Sequence, residues 1–128
     1  MMVEVVTPTG VAVESDADEV TVPGARGEFG VLPGHTPFVS ALKPGVLSYR
    51  VKTKRSVLAV GPGFAEVSGK DRVVVLTQQA TPVEQIDVAA AQRELDEADR
   101  LLKEGTGTRA ELEARRAWAQ AKLDAKKA

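Results

Sequence analysis

The 128-residue sequence contains no cysteine. That absence excludes disulfides, thiolate nucleophiles and zinc-thiolate centres together. It contains a single histidine, His35, so a site built from paired histidines is excluded as well. No apolar run approaches the roughly 20 residues a helix needs to cross a bilayer. The N-terminus lacks the basic region and apolar segment of a secretory signal. A net charge of −1 gives no general pull toward nucleic acid or an anionic membrane. The expectation is a soluble, cytosolic protein that works at a membrane only by docking, without direct lipid insertion.

What is present changes character along the chain. Up to about residue 83 the apolar residues come in short bursts, "VEVV" at 3–6, "VAVE" at 11–14, "VTV" at 20–22, "LSYRVK" at 47–52, "SVLAVG" at 56–61 and "DRVVVL" at 71–76. In "LSYRVK" Leu47, Tyr49 and Val51 alternate with Ser48, Arg50 and Lys52, the pattern of a half-buried strand. Between the bursts stand Pro23-Gly24, Pro33-Gly34, Pro44-Gly45 and Pro62-Gly63. In a tight turn proline presets the first central dihedral and glycine supplies the positive one. Short strands with frequent turn residues predict an antiparallel β-sandwich over residues 1–84.

From residue 86 the period becomes helical. Val88, Ala91, Leu95, Ala98 and Leu102 are spaced three and four apart and predict a helix from about 87 to 104. Asp87 suits its N-cap and Gly105 its C-terminal closure. After "GTG", Thr108 and Glu111 have capping-box spacing and open a second helix. Its best stripe is Ala114, Trp118, Ala121, Ala125 and Ala128. Two capped helices joined this closely form an antiparallel hairpin over 85–128, completing an α+β chain. Burial of a methyl is worth about 0.8 kcal/mol and of a leucine about 2 kcal/mol. An alanine-rich seam therefore lets the hairpin open without unfolding the sandwich. Residues 87–104 carry six acids and three bases, and residues 109–127 six bases and three acids. The helices attract, and the second also suits an acidic surface elsewhere.

No catalytic constellation is visible. His35 lacks a cysteine or histidine partner, and a triad with a residue such as Ser40 has no supporting motif. "GPGFAE" at 61–66 lacks the third glycine and the following helix of a dinucleotide fingerprint. "ESDADE" at 14–19 lacks the oxygen-ligand spacing of a calcium loop, and "RVKTKR" at 50–55 decorates a strand and its turn. No metal site is expected.

The stretch "GEFGVLPGHTPFVSALKPGVL" at 27–47, then "GPGFAEV" at 61–67 and "QIDVAAAQREL" opening a helix, together resemble the epsilon subunit of the rotary F-type ATP synthase. The resemblance covers essentially the whole chain. It implies a sandwich of ten strands that binds the gamma subunit and the c-ring, and a hairpin that extends along gamma and restrains ATP hydrolysis. It also implies a non-catalytic central-stalk protein on the cytoplasmic face of a bacterial membrane, or in a plastid. Glu28 and His35 match c-ring-contacting positions in what the resemblance implies is a loop. The basic residues of the second helix, Arg115, Arg116 and Lys122 among them, match a segment that reaches an acidic loop of the beta subunit.

Some family members hold ATP in the folded hairpin through an Ile-Asp-x-x-Arg-Ala opening and further arginines. Here Ile86 and Asp87 are followed by alanine at the first arginine position, Glu97 stands at the second, and Gln120 follows a retained Arg116. Fewer cations and an added carboxylate weaken phosphate binding. Of the nucleotide-binding set only Asp87 and Arg116 remain, so no cofactor is assigned and ATP affinity is expected to be poor or absent. Two other classes fit the composition. A small β-sandwich enzyme would need a pocket of convergent titratable groups, and a free-standing adaptor would use the hairpin for interaction.

Overall fold

The computed structural model describes residues 1–128. Ten strands precede two helices: β1 (Met2–Thr7), β2 (Gly10–Asp16), β3 (Glu19–Gly24), β4 (Gly27–Val31), β5 (Phe38–Leu42), β6 (Gly45–Val51), β7 (Lys54–Val60), β8 (Gly63–Ser68), β9 (Arg72–Thr77) and β10 (Ala80–Pro82), then α1 (Val88–Glu104) and α2 (Arg109–Lys127). A 3-10 turn at Val83–Gln85 joins the parts. The strand order is β10-β7-β6-β3-β5-β8-β9-β1-β2, with β4 hydrogen-bonded to β3 off that path. Every pairing is antiparallel except that of β1 with β9. The β-sandwich and helical hairpin expected from the sequence are both present.

The interior is aliphatic. Val3, Val5, Val20, Val22, Val31, Leu47, Val73 and Val75 are fully buried, and Phe29, Phe38 and Tyr49 pack partly against them. Alternation places these side chains inward along each strand. The β6–β7 pair departs from it, because Ser48, expected on the solvent face, is buried. Val46 stands opposite Ala59 and Ser48 opposite Val57. The outer side of this ribbon is a platform for α2, where Ala59, Ile86, Ala121 and Ala125 cluster with Val46, Val57 and Trp118. "SVLAVG" is apolar at nearly every position because both of its faces are covered.

The Pro-Gly pairs do less turning than expected. Only Gly34 of the four has a positive φ, at 80°. Pro23 and Gly24 lie within the end of β3, and Gly45 and Gly63 begin strands. These three glycines answer to space: a Cβ on Gly63 would stand 1.9 Å from the Leu76 carbonyl oxygen, and one on Gly45 2.7 Å from the Pro23 Cβ. Two tight corners use other residues in the left-handed region, Lys52 at φ 56° and Asp71 at φ 58°.

In the hairpin, Asp87 Oδ1 accepts from the Ala90 amide and Gly105 closes α1 at φ 69°. Thr108 takes the N-cap position of α2 without a side-chain cap bond, so the capping box does not form. Ala91 and Ala98 are buried on α1, whereas Val88 is 47% exposed and falls off the expected stripe. On α2 the expected Ala114 and Ala128 are exposed, while Leu112, Ala119 and Leu123 are buried beside Ala121 and Ala125. At 3.6 residues per turn these fall on two faces about 150° apart. One of them, Trp118, Ala121 and Ala125, meets the platform. A helix with two buried faces has no single stripe to read.

Gly63→Ala should destabilise the chain by about 2 kcal/mol or more, because rigid backbone must move. Gly61→Ala, whose nearest Cβ contact would be 3.5 Å, should be tolerated. Urea denaturation of both variants checks the contrast.

Candidate functional site

The outer surface of β5, β8, β9, β1 and β2 carries an uncovered apolar row. Ala41 pairs with Phe64, Phe64 with Leu76, Leu76 with Val6, and Val6 with Val11, so five neighbouring strands each contribute one apolar residue in direct register. Strands about 4.8 Å apart make the row about 19 Å long. Val11 and Phe64 are each 59% exposed and Leu76 54%. At one edge the row runs into an open groove of 630 Å³, whose lining includes Val6, Pro8, Leu42, Pro62, Phe64 and Leu76. Aligned exposed apolar residues bordering a groove mark an interaction surface rather than scattered surface hydrophobics. Sequence reasoning missed this row. Its trace is "RVVVLT" on β9, apolar at consecutive positions although only Val73 and Val75 are fully buried apolar residues there.

Glu28 is not in a loop. It is the second residue of β4, exposed and opposite Pro23. It lines a shallow groove between β4 and β5 with Arg26, Phe29, Val39 and Ser40. His35 lies beyond the other end of β4, so the structure does not bring the two residues together. The imidazole Nδ1 is 2.9 Å from the Thr36 carbonyl oxygen, and the ring rests against Phe38 at a centroid distance of 5.2 Å. This loop is tied to the β8–β9 corner, where Asp71 Oδ1 accepts from the Gly34 amide at 3.0 Å. Asp71 also stands 3.7 Å from the Met1 ammonium, whose pKa is raised chiefly by its hydrogen bond to Asp16.

The three basic residues singled out on α2 are all engaged by α1. Lys122 Nζ bonds Glu94 at 2.9 Å, Arg115 stands 3.6 Å from Glu97, and Arg116 Nε donates to Asp99. Antiparallel packing sets the broad order, with Glu94 nearer the start of α1 meeting Lys122 nearer the end of α2, and Glu97 and Asp99 further along α1 meeting Arg115 and Arg116 earlier on α2. Lys122 also lies 5.5 Å from the centre of the Trp118 ring, which joins the clasp to the platform. Asp87 and Arg116 are not brought together. Asp87 caps α1, and the Asp99 that holds Arg116 is about 18 Å further along the helix at 1.5 Å per residue. The Ala90 amide fills Asp87 Oδ1, and Arg115 faces Glu97 where a second arginine was considered. The geometry is that of a latch between helices.

An open sheet face, an aliphatic core and a hairpin folded against a β-sandwich describe a protein that binds other proteins. A family model described as the ATP synthase delta/epsilon chain β-sandwich domain matches residues 1–83. Among curated relatives, the chain is 47% identical to the ATP synthase epsilon chain of Myxococcus xanthus over 80% of its own length and 75% of that protein's. It is 42% identical to epsilon chain 2 of Syntrophotalea carbinolica over 83% and 76% of the two chains. A chain in the Euglena gracilis mitochondrial ATP synthase, solved with OSCP, F1 and the c-ring, superposes with a TM-score of 0.76 at 25% identity, covering 99% of this chain and 77% of that one. The chain belongs to the epsilon-chain family of the rotary ATP synthase.

Exposed ion pairs are worth about 0.2–1 kcal/mol each, so the three-pair clasp contributes on the order of 1–2 kcal/mol. Replacing Glu94 and Glu97 with glutamine and Asp99 with asparagine should speed amide exchange across α1 while leaving β-strand protection unchanged. Raising salt should do the same to the parent and little to the variant.

Proposed function

We propose that the chain is a non-catalytic central-stalk subunit that couples the gamma subunit to the c-ring in proton-driven ATP synthesis. It sits at the cytoplasmic face of a bacterial plasma membrane, held there by its partners. The observation that carries this reading is the uncovered row of Ala41, Phe64, Leu76, Val6 and Val11. The sandwich has two apolar outer strips. Its own α2 lies on the strip formed by β6 and β7, and nothing in the chain lies on the other. A rotor subunit that transmits torque needs a broad, rigid contact, and a sheet row supplies one. Gamma is the proposed occupant.

Glu28 and the loop of His35 are assigned to the c-ring side. Glu28 carries an exposed carboxylate beside a shallow groove, which suits a polar contact. The bond from the imidazole to Thr36 makes His35 a residue that shapes its loop as much as a contact in its own right. The hairpin is assigned the role of a brake on hydrolysis. Arg115, Arg116 and Lys122 meet an acidic segment of the beta subunit only by exchanging Glu97, Asp99 and Glu94 for it. Such an exchange trades like for like, so small changes tip it.

In binding measurements with purified gamma, Phe64→Ser should weaken the complex by about 30-fold or more, since burial of an exposed aromatic is worth about 2 kcal/mol. Unaltered affinity with the fold intact would refute the docking face. Hydrolysis by the assembled complex tests the brake with opposite signs. Neutralising Glu94, Glu97 and Asp99 frees the bases and should deepen inhibition, whereas neutralising Arg115, Arg116 and Lys122 should relieve it; identical rates in both variants would remove charge exchange from the mechanism.

A further inference from the structure

We propose that the open face recognises a protein surface in which an apolar ridge is flanked on one side by lysine or arginine, and that Glu14 and Glu66 are the residues that read those cations. The inference rests on the docking role given to this face and adds the chemistry of the occupant. Beside the apolar row runs a second, two residues along each strand and, across the bulge in the β1–β2 pairing, three along β2. Val39 pairs with Glu66, Glu66 with Val74, Val74 with Glu4, and Glu4 with Glu14. Glu4 and Glu14 are thus like charges directly opposed on neighbouring strands, an arrangement that destabilises a sheet.

Only one cation answers them within the chain. Arg72 bonds Glu4, and neither Glu14 nor Glu66 has an ion-pair or hydrogen-bond partner. Both carboxylates stand exposed at the border of the apolar strip, three strand spacings or about 14 Å apart. A sheet surface shaped for solubility alone intersperses the signs of its charges. Here a local rule is broken on the one face that is also apolar and uncovered, which is where an external partner completes the arrangement. The sign of the charge points away from nucleic acid and anionic lipid and toward a basic polypeptide edge. Charges at such a rim set orientation and partner choice more than raw affinity.

The test uses the full chain and purified gamma. Replacing Glu14 and Glu66 together with glutamine should weaken binding about tenfold near 50 mM salt, and the difference should shrink as screening shortens with rising salt. Glu14→Gln alone should raise the melting temperature of the free chain, because it removes the opposition to Glu4. Parental affinity and parental salt dependence in the double variant would overturn the proposal, as would a lower melting temperature for Glu14→Gln. The two readings fail separately. Loss of binding in Phe64→Ser with none in the double variant leaves docking in place and refutes the cation-reading role. Retained binding in Phe64→Ser refutes both.

Discussion

The pairing of β6 with β7 is the constraint on which the rest of this molecule depends. Leu47 and Leu58, opposite each other, point into the sandwich core, while the alternate pairs Val46 with Ala59 and Ser48 with Val57 point outward under α2. One ribbon is thus part of two packed interfaces. The outer pairs are small, which lets the helix approach closely with alanines of its own, and Trp118 supplies the one large contact. A bulky residue at Ala59 or Ala121 would separate the layers and leave α1 with nothing to lean on, because α2 is the helix that rests on the strands.

The two interfaces of α2 differ in chemistry. Toward the sandwich the contact is apolar, and toward α1 it combines Leu112, Ala119 and Leu123 with three ion pairs. Apolar burial is strengthened by excluded salts while exposed ion pairs are screened. One helix is therefore held by forces that respond in opposite directions to the same solvent. On the far side of the sandwich the apolar strip has no such cover, and that asymmetry, rather than any pocket, is what marks the chain as a component of something larger.

Much of this architecture was legible in the sequence, and the parts that were not share a cause. Alternation exposed six strands, and the change of period at residue 86 located the helices with the caps at Asp87 and Gly105. The strands β4, β5, β8 and β10 were harder; at β8 the Pro62-Gly63 pair read as a turn, whereas Gly63 begins the strand where the Leu76 carbonyl passes too close for a side chain. The faces of α2 were misassigned because a helix buried on two sides has no single apolar stripe to read. The open row was missed for a related reason: it exists only in register, with one residue drawn from each of five strands that come from three separate stretches of the sequence. The basic residues of α2 were found by charge alone, but their partners on α1 required the antiparallel register.

The order of layers in the hairpin is the reverse of the order of synthesis. α1 is made first and ends outermost; α2 is made after it and lies next to the strands. A chain emerging residue by residue therefore completes its sandwich, then carries α1 as an unanchored amphipathic segment until α2 arrives to hold it. The acids of α1 keep that segment soluble in the interval. Loss of the nineteen-residue α2 would release α1 too, so α2 acts as the keystone of the hairpin.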